Sequence, residues 1–123
     1  MRKIPLLIAL CLGIAGCANE AAEREAAGRI AYRQGFEALD AEDYAKAEHY
    51  LSEAQGLRPD DPYVSLDLGV TYQALGENDK ARAAYEKVLE TGKGVIPVRV
   101  TDPRAAGKSL ADIATDNLNF ISH

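Results

Sequence analysis

Few residues in this chain could do covalent or acid–base chemistry. Two cysteines, Cys11 and Cys17, and two histidines, His49 and His123, are all that 123 residues offer besides carboxylates, hydroxyls and lysine amines. A metal centre needs such groups at ligand spacing, and a nucleophilic site needs a base within reach of a hydroxyl or thiol. Neither histidine stands in a metal-ligand spacing, and there is no Ser-His-Asp pattern and no phosphate-cradling glycine loop. The carboxylates alternate with Lys and Arg at helical spacing, which describes solvated helix faces. The expectation is therefore a protein that is not an enzyme and carries no metal or cofactor. One reactive group is left to explain, the thiol of Cys17.

Cys17 stands at a seam. In "LCLGIAGCANEAAE", Leu10 to Glu23, the chain is apolar and small up to the cysteine, then acidic and alanine-rich. Arg2 and Lys3 supply a charged start before the apolar run, the order of a secretory signal. An uncleaved span needs about 20 apolar residues to cross a bilayer. Ile4 to Ala18 supplies 15, including Pro5. An ordinary signal needs no thiol at its exit, so a cysteine there by coincidence is the alternative reading. "IAGC", Ile14 to Cys17, resembles the lipobox of bacterial lipoproteins, with Ile14 where leucine is more usual. The resemblance implies that residues 1–16 are a signal peptide and that Cys17 is acylated and becomes the first mature residue. Cys11 leaves with the signal, so one mature chain has no disulfide. A single acyl chain anchors only marginally, and lipoproteins carry two or three. With Ala18 and Asn19 after the cysteine and no Asp to signal inner-membrane retention, the enterobacterial rule implies the outer membrane, facing the periplasm.

Without residues 1–16 the chain has 12 basic and 19 acidic residues, a formal charge of −7. Nucleic acid and an anionic bilayer would both repel it, so no nucleic-acid partner is expected, and the membrane is reached only through the lipid on Cys17. The 107 residues that follow the signal suffice for one small domain. Alanine is abundant, and glycines and prolines fall between periodic segments, which points to short helices near 20–40, 43–57, 61–75, 78–92 and 103–121. Asn78 reads as the N-cap of the fourth helix, and Asp102 with Pro103 behind it as the start of the last.

Shifting the sequence by 34 residues pairs Gly35 with Gly69, Ala47 with Ala81 and Leu51 with Tyr85. This spacing and residue order resemble the tetratricopeptide repeat, whose pattern is W-x₂-L-G-x₂-Y, then A-x₃-F, then P. Leu68, Gly69, Tyr72, Ala81 and Tyr85 match in the second copy, where Ser65 and Lys93 replace the tryptophan and the proline. In the first, Gly35, Ala47, Leu51, Ala54 and Pro59 match, while Ala31, Gln34 and Ala38 depart from the large residues expected. The implied architecture is all-α, with two helix–turn–helix repeats in a short solenoid over 28–94. Residues 17–27 precede them as a lipidated N-terminus and linker or the start of the first helix. An extended connector follows over 95–102 and a C-terminal capping helix over 103–123. Gly35, Ala47, Gly69 and Ala81 are the repeat-packing positions, where small side chains let two helices approach. On the last helix Ala106, Leu110, Ile113, Ala114, Leu118 and Ile121 form one apolar stripe.

The first helix of each repeat carries a second apolar stripe beyond what packing inside the unit requires. Tyr32 and Phe36 in copy one, and Tyr63, Leu66 and Val70 in copy two, are the candidate lining of a partner-binding groove. Either the chain's own connector, Val95 to Val100, covers these residues together with the last helix, or the groove is open to a protein or peptide partner. The Lys and Asn cluster with which chaperone-type repeat domains hold a peptide carboxylate is missing, because Tyr32, Phe36, Leu66 and Val70 take those places. The resemblance to small bacterial lipoproteins of this repeat type implies a lipid-anchored scaffold that tethers or assembles envelope proteins. Some members of that class act as pilotins or as pilus and secretion assembly factors, and three alternatives to the scaffold stand beside it: a homodimer whose groove serves only self-association, an accessory subunit of an envelope enzyme, and a peptidoglycan-associated factor.

Overall fold

A computed structural model describes residues 6–123 of the chain, with side-chain placement from Gly16 onward. The charged start at Arg2 and Lys3 and the side chains of Cys11 and Ile14 lie outside the described residues. Five α-helices follow one another, α1 Leu6–Asp40, α2 Tyr44–Leu57, α3 Pro62–Ala74, α4 Asn78–Thr91 and α5 Leu110–Ile121. No strand occurs among the described residues. None of these helices is long and apolar enough to cross a membrane. The first helix begins well before the expected residue 20, so Cys17 lies inside it, exposed.

Local chemistry sets the boundaries. Asp43 caps α2 by accepting the backbone N–H of Lys46 at 3.2 Å. Asp61 caps α3 through Tyr63 N–H at 2.9 Å, with Pro62 at the first helical position, where its missing donor costs nothing. Arg58 fastens this corner, pairing with Asp61 at 2.8 Å and with Glu25 of α1 at 3.2 Å. Gly76 takes a positive φ of 77° after α3, a conformation that side chains disfavour. The N-cap of α4 is Glu77 and not Asn78. Glu77 makes no side-chain capping bond and instead pairs with Lys80.

The repeat packing follows the small residues. Gly35 lets α1 close on Leu51 of α2, where an added Cβ would stand 2.6 Å from the leucine Cγ. Gly69 does the same for α3 against the ring of Tyr85. Ala47 and Ala81 are wholly buried at the corresponding places on α2 and α4. One cluster joins α1, α2 and α3 around Leu51, Val64 and Leu68, and a second joins α4 and α5 around Tyr85, Val88 and Leu110. Each fully buried aliphatic side chain contributes about 1.5–3 kcal/mol. These two units and the helix behind them are an all-α, tetratricopeptide-like solenoid.

The C-terminal part departs from expectation. Asp102 and Pro103 do start a helical turn, Pro103–Ala105, but it is a single 3₁₀ turn. Gly107, at φ 75°, ends it. The helix restarts at Ser109, whose hydroxyl accepts from Asp112 N–H while the Asp112 carboxylate accepts from Ser109 N–H, a reciprocal capping box. The capping helix is therefore α5 and not 103–121, and Ala106 lies outside its stripe. Leu110 and Ala114 are buried, and Ile113, Leu118 and Ile121 pack beside them. The connector is pinned at its start, where Leu110 N–H bonds Val95 O at 2.8 Å, and Val95 joins the second cluster. Beyond it Ile96 is 59 % exposed and Val98 99 % exposed, so of these apolar side chains Val95 lies against the helices and the other two do not.

Candidate interaction groove

On α3 the buried Val64, Ser65, Leu68 and Gly69 face the neighbouring helices. Tyr63, Asp67 and Val70, at i, i+4 and i+7, share the opposite stripe. On α1 the buried Gly28, Ala31, Gly35 and Ala38 mark the core side. Tyr32 and Phe36 stand next to that face one turn apart, their rings 6.3 Å between centroids and tilted by 40°. The two stripes meet where Tyr32 OH donates to Asp67 Oδ2 at 2.9 Å. That bond ties the first helix of one repeat to the first helix of the next.

The five expected lining residues divide. Phe36 is 46 % exposed and Val70 37 % exposed. Tyr32 is half-buried on the first cluster. Tyr63 and Leu66 pack against the second cluster. The cause is α5, which packs on α4 and touches α3 as the first helix of a third unit would. The last helix thus takes up part of the stripe, while the exposed Ile96 and Val98 show a connector that does not lie over it.

Asp67 was not legible as a groove residue. It sits between Leu66 and Leu68 and reads as one more solvated carboxylate. The available signal was its spacing, four after Tyr63 and three before Val70. Burial pushes its carboxyl up, the Tyr32 hydrogen bond draws it partly back and the charge of Asp61 pushes it further, to about 6. Burial and the neighbouring Asp67 carboxylate in turn hold the Tyr32 hydroxyl far above the ordinary phenol range, so it remains a donor at neutral pH. Burial likewise raises Tyr85, whose hydroxyl donates to Gln73 Oε1 at 2.8 Å.

The remaining chemistry-bearing residues do not converge here. His49 is exposed on α2, edge-on to Tyr50 at 5.0 Å between ring centroids, and His123 is exposed after α5. Among the described residues no three His, Cys, Asp or Glu side chains group as a metal site. The arrangement suits recognition of an apolar segment with a polar anchor in the floor.

The family profile of the tetratricopeptide repeat matches residues 38–96, which spans the end of α1 and all of α2, α3 and α4. No curated protein and no solved structure matches the chain.

Proposed function

We propose that this chain is a lipid-anchored scaffold of the bacterial envelope, held by Cys17 in the outer membrane and facing the periplasm, which binds other envelope proteins through the groove between α1 and α3. Tetratricopeptide repeats are protein-interaction modules, and the match over 38–96 supports that general role. The observation that carries the reading is the exposure of Phe36 on α1 and Val70 on α3, large apolar side chains of two helices that the Tyr32–Asp67 bond ties together. Anchoring rests on the sequence seam at Cys17 and on the exposure of that thiol.

Mass spectrometry of the mature N-terminus, run with pull-down from detergent-solubilised membranes, tests both halves. An acylated Cys17 and an envelope protein retained in stoichiometric amount are the expected results. An unmodified chain that begins elsewhere, or a Cys17→Ala variant that fractionates with membranes as before, overturns the anchor. An empty pull-down overturns the scaffold.

A further inference from the structure

Two surfaces of this chain are unsatisfied, and they complement each other. The first is the groove, where Phe36, one turn after Tyr32 on α1, and Val70, one turn after Asp67 on α3, are both exposed, and Tyr32 bonds Asp67. Only Oδ2 of Asp67 is engaged, by Tyr32, and no cation among the described residues pairs with it. Arg29, one turn before Tyr32 on α1, makes no ion pair with it. The second is the connector. A bend at Val98 makes that side chain the tip, with Ile96 exposed behind it and Arg99 exposed beside it. Pro97 holds the backbone extended and leaves no N–H there to satisfy. Arg99 forms no ion pair with the described residues. Pinned at Val95 against α5, the segment leaves Ile96, Val98 and Arg99 exposed to solvent.

We propose that the connector of a second copy of this chain seats in the groove, Val98 and Ile96 against Phe36 and Val70, with the Arg99 guanidinium on the Asp67 carboxylate. The inference rests on the groove being a protein-binding site. A two-fold axis lets each copy give its connector to the other, so the contact is made twice. Both halves of the pair come from one sequence, which is the reason to name a second copy as the occupant. The contact is small and belongs with weak, exchangeable interfaces, which leaves the groove available to other proteins. The formal charge of −7 on the chain without residues 1–16 repels a second copy at long range, and the Arg99–Asp67 pair is the local complementarity that sets the register.

Co-purification of two full-length copies that carry different affinity tags, extracted in mild detergent, tests this. Wild-type copies should co-purify. Arg99→Asp in both copies should reduce recovery at least about tenfold, the loss expected for a charge-assisted hydrogen bond turned into a repulsion. Asp67→Asn in both copies, which keeps an acceptor for Tyr32, should also reduce recovery. Pairing Arg99→Asp with Asp67→Arg should restore it, since each groove then meets a connector of opposite charge. Wild-type copies that do not co-purify, or an Arg99→Asp pair recovered like wild type, overturn the self-contact. Either result leaves the groove reading standing, because capture of other envelope proteins is read separately by Phe36→Ala.

Discussion

Asp67 sets the properties of the groove floor, and its chemistry has a pH signature. Its folded-state carboxyl is raised to about 6, above the value of an exposed aspartate, so the folded state holds the proton more tightly than the unfolded chain. The contribution of this residue to stability is therefore fully present below about pH 4 and lost as pH rises through 6. Asp67→Asn removes the charge and keeps an amide oxygen for Tyr32, so it should raise stability at pH 7.5 by about 1–2 kcal/mol, a shift of several degrees. At pH 4 the variant and the wild type should melt together. Thermal unfolding at the two pH values checks this, and a variant less stable than wild type at pH 7.5 would contradict it. Sequence reading found Phe36 and Val70, whose size and period mark them. It missed Asp67 because a charged residue on a helix is ordinarily solvated, and only the Tyr32 bond from another repeat reveals otherwise.

At the level of elements, the 34-residue spacing was readable because each repeat is built from near neighbours in sequence, and its small positions recur at fixed places. Gly69 shows how strict they are. A Cβ there would overlap the fully buried Tyr85 ring, which cannot withdraw without breaking its bond to Gln73. Gly69→Ala gains about 1 kcal/mol of helix propensity and loses more to overpacking, commonly 1–3 kcal/mol. The variant should be net destabilised in denaturant titration, and an unchanged midpoint would mean that α3 and α4 do not close as described. The start of α5 was not readable. Asp102 followed by Pro103 is the same signal that Asp61 and Pro62 give at a true helix start, and the difference lies downstream in Gly107, whose positive φ stops the turn. Ser109 and Asp112 then supply a stronger start.

For the whole molecule, two repeats lack the partner that a longer array would provide, and α5 supplies it. Deleting 102–123 would strip the second cluster of Leu110 and Ala114 and uncover Val88 and Leu89. Burial of even two large side chains is worth about 3–6 kcal/mol, a large part of a small domain's ~5–15. The truncated chain should aggregate or lose helicity by circular dichroism, and a monomer with unchanged melting temperature would make α5 an appendage. The sequence left open whether the chain covers its own groove, because that depends on where a connector broken by Pro97 turns, and nothing local in 95–102 specifies the direction. The exposure of Ile96 and Val98 answers it in part: the connector leaves Phe36 and Val70 exposed, while Tyr63 and Leu66 pack against the second cluster. The most direct test is Phe36→Ala, with melting temperature and pull-down yield from detergent-solubilised membranes measured on the same variant. An open groove requires a melting temperature within a degree or two of wild type and capture weakened at least ~30-fold, since truncating an aromatic hot spot costs about 2 kcal/mol or more of binding. A clear fall in melting temperature with capture unchanged would contradict the account and return Phe36 to the core.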